Sequence, residues 1–149
     1  MPKIDIDTAE VSVGSGYPAP FDEPCKNRLR KRLGDAAGLT QFGVNLLRLA
    51  PGAWSSQRHW HSTEDEFLWV LEGEVILVTD AGEEVLGAGD CAGFKAGVPD
   101  GHHLQNRSVT EAVVLEVGTR DWRDDRCDYP DIDMLADAEG YLRRDGTRY

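Results

Sequence analysis

Between Gly43 and Gly118 the chain is cut into short apolar or alternating runs, and that rhythm restricts the fold more than any other feature. The runs read GVNLLRLA, EFLWVLEG, EVILVTD, EEVLGAGD, CAGFKAG, HHLQNRS and EAVVLEVG. Turn residues separate them at Pro51-Gly52, Glu72-Gly73-Glu74, Asp80-Ala81-Gly82, Gly87-Ala88-Gly89-Asp90 and Pro99-Asp100-Gly101. Short strands at nearly even spacing, with no helical period between them, predict an all-β sandwich or barrel rather than βαβ units. No fixed repeat of the solenoid kind is present.

The flanks differ in texture. Residues 1–42 are polar and punctuated by Pro2, Pro18, Pro20 and Pro24, which predicts an arm that wraps the core, with a short helix around Cys25 to Leu33. Residues 119–149 are polar again, with Trp122, Tyr129, Ile132, Met134 and Tyr141 as scattered anchors, and read as a tail draped over the barrel or a neighbouring subunit. The 149 residues are about one domain's worth, and arm, core and tail are read as parts of one domain able to bury its core without disulfides.

Inside the strand-rich region lies RHWHSTEDE, residues 58–66. Alternate residues of a strand share a face, so His59 and His61 project together if the run is extended. Glu66 opens the next strand and can face the same space, above Leu68 and Val70. His102 and His103 are neighbours in a further strand, so alternation lets only one of them point inward. Imidazoles with a carboxylate make a mixed N/O set suited to Fe, Mn, Co, Ni, Cu or Zn.

These residues carry a resemblance to the cupin superfamily. Gly52, His59, His61, Glu66 and Gly73 resemble its first motif, with one extra residue between Gly52 and His59. Gly89, Gly97, His102 and Asn106 resemble its second, although Lys95 stands at the usual proline and two extra residues lie between Gly97 and His102. The resemblance implies a double-stranded β-helix, or jelly-roll barrel, of the kind found in small single-domain bacterial cupins. It implies His59, His61, Glu66 and His102 as ligands of one divalent transition metal, Fe, Mn, Ni or Zn among the expected ions. The spacing from His102 to Asn106 selects His102 over His103.

Parity suggests other roles. Ser55 and Gln57 share the parity of His59 and His61, so they are candidates for the substrate cavity, as is Asn106, whose commoner role is to tie down local backbone. Arg58 and Trp60 have the opposite parity and are expected to face outward. Phe67, Trp69 and Leu71 form an apolar set opposite Glu66, Leu68 and Val70, so both faces of that strand need cover. The arm or a second subunit would supply it, and the resemblance implies a homodimer. Cys91 is expected to be a buried small residue, while Glu64 and Asp65 read as solvated turn residues.

Composition narrows the partners. Sixteen Lys and Arg against 27 Asp and Glu give a formal charge of -11, which disfavours nucleic acid and anionic membrane surfaces and leaves small molecules or proteins. Three cysteines without CxxC spacing, a charged N-terminus and no apolar run of about 18 residues predict a soluble cytoplasmic protein. Two functions fit: a metal-dependent enzyme on a small oxygen-rich substrate, with dioxygenase or sugar-phosphate-isomerase-like chemistry, or a non-catalytic module that binds a sugar or small acid through an anchoring metal. No general base is evident, and Lys95 is the isolated candidate for contacting a phosphate.

Overall fold

The structure, a computed structural model, describes residues 3–149. Thirteen strands dominate it, and every strand pair is antiparallel. The first six-stranded sheet is built from β1 (Val11–Val13), β2 (Arg28–Arg32), β3 (Phe42–Leu49), β10 (Ala112–Thr119), β5 (Glu66–Glu72) and β8 (Cys91–Phe94), in that order. Facing it is a sheet of β7 (Gly82–Gly87), β6 (Glu74–Thr79) and β9 (His103–Gln105). Between them lies one apolar cluster, with Leu47, Leu49, Val70, Val75 and Val114 essentially without solvent contact. The glycine-punctuated strands predict such an all-β architecture, and its jelly-roll form is the one the cupin resemblance implies.

Alternation does the sorting. In β5, Leu68 and Val70 enter the core, while Phe67, Trp69 and Leu71 stand 42, 46 and 40% exposed on the outer face. Gly73 joins β5 to β6 at φ 76°, and a Cβ there would meet the Glu111 carbonyl oxygen at 2.7 Å. Only glycine suits both the left-handed backbone and the close approach.

The arm departs from expectation. Instead of a helix over Cys25 to Leu33, a single tight helical turn at Glu23–Cys25 leads into β2, and helix α1 spans only Leu33–Ala36. Pairing with β3 on one side and β1 on the other overrides local helix preference, because each pairing satisfies backbone groups that a lone short helix leaves open. The arm thus extends the sheet's edge rather than covering the outer face of β5.

The tail forms β11 (Cys127–Tyr129), β12 (Met134–Asp137) and β13 (Gly140–Leu142), and β11 pairs with the two-residue strand β4 (Trp60–His61). A second apolar cluster of Cys127, Tyr129 and Met134 packs with Tyr17, Phe21, Ile132 and Tyr141, joining tail to arm. Trp122 is not an anchor: it is 62% exposed. Arg58 does face outward, where it holds Asp131 at 2.8 Å and also pairs with Asp80, clamping the tail to the barrel. Cys91 is exposed rather than buried, because its register opposite Trp69 puts it on the outer face. No helix among the described residues is long and apolar enough to cross a membrane.

Candidate metal centre

His59 and His102 exchange backbone hydrogen bonds of 3.2 and 2.8 Å, an antiparallel bridge that throws both side chains to one side. His61 arrives on β4 and Glu66 at the start of β5. The Glu66 carboxylate then lies 2.7 Å from His102 Nε2, 3.6 Å from His59 Nε2 and 3.6 Å from His61 Nε2. One potential ligand atom each from His59, Glu66 and His102 fall within 4.8 Å of one another. Three imidazoles therefore turn the same ring nitrogen toward one carboxylate.

Their opposite nitrogens are held from behind. His59 Nδ1 donates to the Gln57 carbonyl at 2.8 Å, and His61 Nδ1 lies 2.6 Å from Asp125 Oδ2. A proton kept on Nδ1 leaves the Nε2 lone pair free for a cation, the arrangement by which metal-binding imidazoles are oriented. Phe94 stacks on the His102 ring at 3.5 Å between centroids and fixes its plane. This donor set fits a divalent transition ion: neutral nitrogens, one carboxylate and restrained rings.

Electrostatics keeps the carboxylate charged. Burial works to raise the Glu66 pKa, yet hydrogen bonds with His102 and His59 hold it well below the usual carboxylate range. For His59, burial opposes the charged ring, but Glu66 and the Gln57 carbonyl outweigh it and the pKa rises. For His102, burial prevails over Glu66 and lowers the pKa.

His103 is turned away. Its Nδ1 donates to the Ser56 carbonyl at 2.8 Å and its Nε2 accepts from the Gln105 amide at 3.0 Å, so neither nitrogen is free. Of the other cavity candidates, only Ser55 lines the space beside the histidines, and its hydroxyl already accepts the Leu104 N–H at 2.9 Å. Gln57 sends its amide to the Phe21 carbonyl at 2.8 Å instead. Parity misleads there because residues 55–58 form no regular strand. Asn106 is fully buried and spans the Leu49 and Thr110 carbonyls at 2.8 Å each, a purely structural position.

The cavity above the cluster has a volume of about 340 Å³. Its wall holds residues that sequence reasoning missed: Arg28 and Arg30 from β2, Glu64 from the turn, Glu116 from β10, and Tyr17 and Tyr141 from arm and tail. Glu64 is not solvated. Its side chain is 18% exposed, it accepts the Asp121 N–H at 2.6 Å, and burial raises its pKa against that hydrogen bond. Asp65, by contrast, is exposed and accepts the Ala96 N–H at 2.7 Å. Lys95 is exposed and lines not this cavity but an adjoining hollow, which shares His61, Glu64, Glu66, Phe94 and His102 with it. The tail's contribution of Asp125 has no local signal in the sequence, since it sits 64 residues from His61.

The fold has counterparts among known proteins. The Cupin domain family model matches residues 45–118. A sugar phosphate isomerase of the cupin superfamily from Silicibacter pomeroyi is 47% identical, with 99% of this chain and 96% of that chain covered and a TM-score of 0.93. A provisionally named sugar phosphate isomerase from Acidithiobacillus ferrooxidans is 30% identical over 77% of this chain and 74% of that chain, with a TM-score of 0.71. A polyketide cyclase from Streptomyces resistomycificus, 20% identical over 80% of this chain and 79% of that chain with a TM-score of 0.66, shares the fold. None of the curated proteins matches. With both histidine motifs on one barrel and near-complete alignment to a relative of that kind, the chain belongs to the cupin superfamily.

Proposed function

We propose that the protein is a metal-dependent enzyme acting on a small oxygen-rich substrate, and that its reaction is the isomerisation of a sugar phosphate. The metal half of this reading rests on one observation: the Nε2 atoms of His59, His61 and His102 converge on Glu66 in the wall of a half-open cavity. A divalent ion held by those residues supplies Lewis acidity toward a carbonyl or hydroxyl oxygen. The substrate half draws support from the 47% identity to a sugar phosphate isomerase and from three guanidinium groups in the cavity wall, those of Arg28, Arg30 and Arg120, of which Arg30 is paired with Glu116 and Arg120 with Asp35.

Interconverting an aldose and a ketose moves a proton between neighbouring carbons, which needs a side chain to take and return it. Glu116 is committed to Arg30 through two hydrogen bonds of 2.7 and 2.9 Å. Glu64 has no arginine partner among the described residues and faces the cavity, which supports it as the group that takes and returns the proton. The Tyr141 side chain, also on the wall, helps separate the site from water.

The assembly is a homodimer joined through the outer face of the six-stranded sheet. Val11, Lys31, Leu46, Leu115, Trp69 and Cys91 stand opposite one another across the six strands, and Phe67 and Leu71 extend the apolar surface. Apolar patches of this kind mark contact surfaces. The three free cysteines suit a reducing cytoplasm.

Metal content measured by mass spectrometry on untagged protein, followed by assay against a panel of aldose and ketose phosphates, tests the reading. Near-stoichiometric metal in the wild type, lost in His59→Ala and His102→Ala, and turnover lost in Glu64→Gln are expected. Metal with oxygen uptake but no isomerisation would replace the isomerase with a dioxygenase. No metal after reconstitution would leave a binding module.

A further inference from the structure

The arm brings a cation into the cavity that the metal cluster does not use. Arg28 lies on the inner face of β2 and is only 9% exposed. Its Nε donates to the Gly14 carbonyl at 2.8 Å, and its Nη1 donates to the Ser55 carbonyl. Two of the five guanidinium N–H donors are thereby used, both on neutral acceptors. Among the described residues no carboxylate oxygen comes within 4.0 Å of it, whereas Arg30, two residues on and on the same face, is neutralised by Glu116. Arg58, Arg107, Arg144 and Arg148 each hold a carboxylate as well.

Glu116, already bound to Arg30, acts on Arg28 only from beyond ion-pair distance. A buried cation without an ion-pair partner of its own is costly to folding, and that cost is met when an anion arrives. The remaining N–H donors belong to a side chain that lines the same cavity as His59, Glu66 and His102. Tyr17, whose ring centroid is 6.0 Å from the Arg28 guanidinium carbon, shares that wall. The planar fork of an arginine matches two oxygens of a tetrahedral oxyanion.

We propose that Arg28 anchors the phosphate of the cavity's occupant, leaving the rest of that molecule to reach the histidine cluster. This rests on the isomerase reading for the identity of the occupant. The anion subsite itself needs neither metal nor turnover, so it is tested without them.

Chelator-treated, full-length protein is titrated calorimetrically with inorganic phosphate at constant ionic strength, with acetate as the carboxylate probe. Saturable phosphate binding is expected in the wild type and in Lys95→Ala. Arg28→Met should weaken it by about 10-fold or more, the loss of charge-assisted hydrogen bonds. Because Arg28 also holds two carbonyls, a second readout uses the wild type alone: its Arg28 Nε–Hε NMR resonance should shift with phosphate at the calorimetric midpoint. An unmoved resonance, a folded Arg28→Met with wild-type affinity, equal weakening in Lys95→Ala, or acetate binding as tight as phosphate would each overturn the proposal. Failure of the metal-loaded protein to isomerise any sugar phosphate would overturn the isomerase reading while leaving the phosphate result standing.

Discussion

Replacing Asp125 with asparagine isolates what the tail does for the histidine cluster. The two carboxylate oxygens divide their work: Oδ2 lies 2.6 Å from His61 Nδ1, while Oδ1 accepts the Thr63 N–H at 2.9 Å and the Ser62 and Thr63 hydroxyls at 3.3 Å. Asparagine has the same shape but only one acceptor oxygen. If that oxygen serves His61, the amide NH2 faces the Thr63 N–H, donor against donor. If it serves Thr63, the NH2 donates to His61 Nδ1, and the ring proton moves to Nε2, where it occupies the lone pair needed by a cation. With the side chain 9% exposed, water offers little relief in either case. Loss of such a supporting hydrogen bond typically costs about 10–100-fold in metal affinity, or about 1.4–2.8 kcal/mol. Competition against a chelator of known affinity would read this directly, with circular dichroism confirming that the variant is folded. An Asp125→Asn protein that binds metal as tightly as the wild type would refute the argument that the tail sets the His61 tautomer.

Three further outcomes follow from packing and charge. Leu47 is fully buried in the barrel core, so Leu47→Ala should lower stability by about 2–5 kcal/mol in urea unfolding; a change below about 1 kcal/mol would mean that the cluster collapses around the void. His103 is buried, and burial lowers its pKa despite the Ser56 carbonyl. The unfolded chain therefore takes up this proton first, and stability falls as pH drops from about 6.5 toward the lower folded value. His103→Gln should remove that part of the pH dependence of Tm, and an unchanged slope would assign it elsewhere. Trp69→Asp, on the exposed outer face, should yield monomers by sedimentation; a wild type that is itself monomeric at micromolar concentration would dispose of the dimer.

The strand rhythm is a local property, which is why the barrel is legible without coordinates. Alternation depends on neighbours two residues apart, and glycine turns mark where it stops. The HXH pair, Glu66 and the inward Leu68 and Val70 are readable on the same ground, and the structure brings His59, His61, Glu66 and His102 together. Reading by parity fails at Gln57, where the chain is irregular, and reading by residue type fails at Cys91, whose side is set by register against β5.

By itself, then, the sequence determined an all-β fold and a shared face for His59, His61 and Glu66, because both follow from short-range periodicity, while His102 joined them only through the resemblance to cupins. Tertiary structure alone decided who stands around that cluster. Arg28 and Arg30 reach the cavity because β2 pairs with β3 rather than coiling, Glu64 because its turn folds inward over His61, and Asp125 because β11 pairs with β4. Each depends on pairing or packing between segments distant in the chain, energies that no local pattern encodes and that only the assembled sheets can settle.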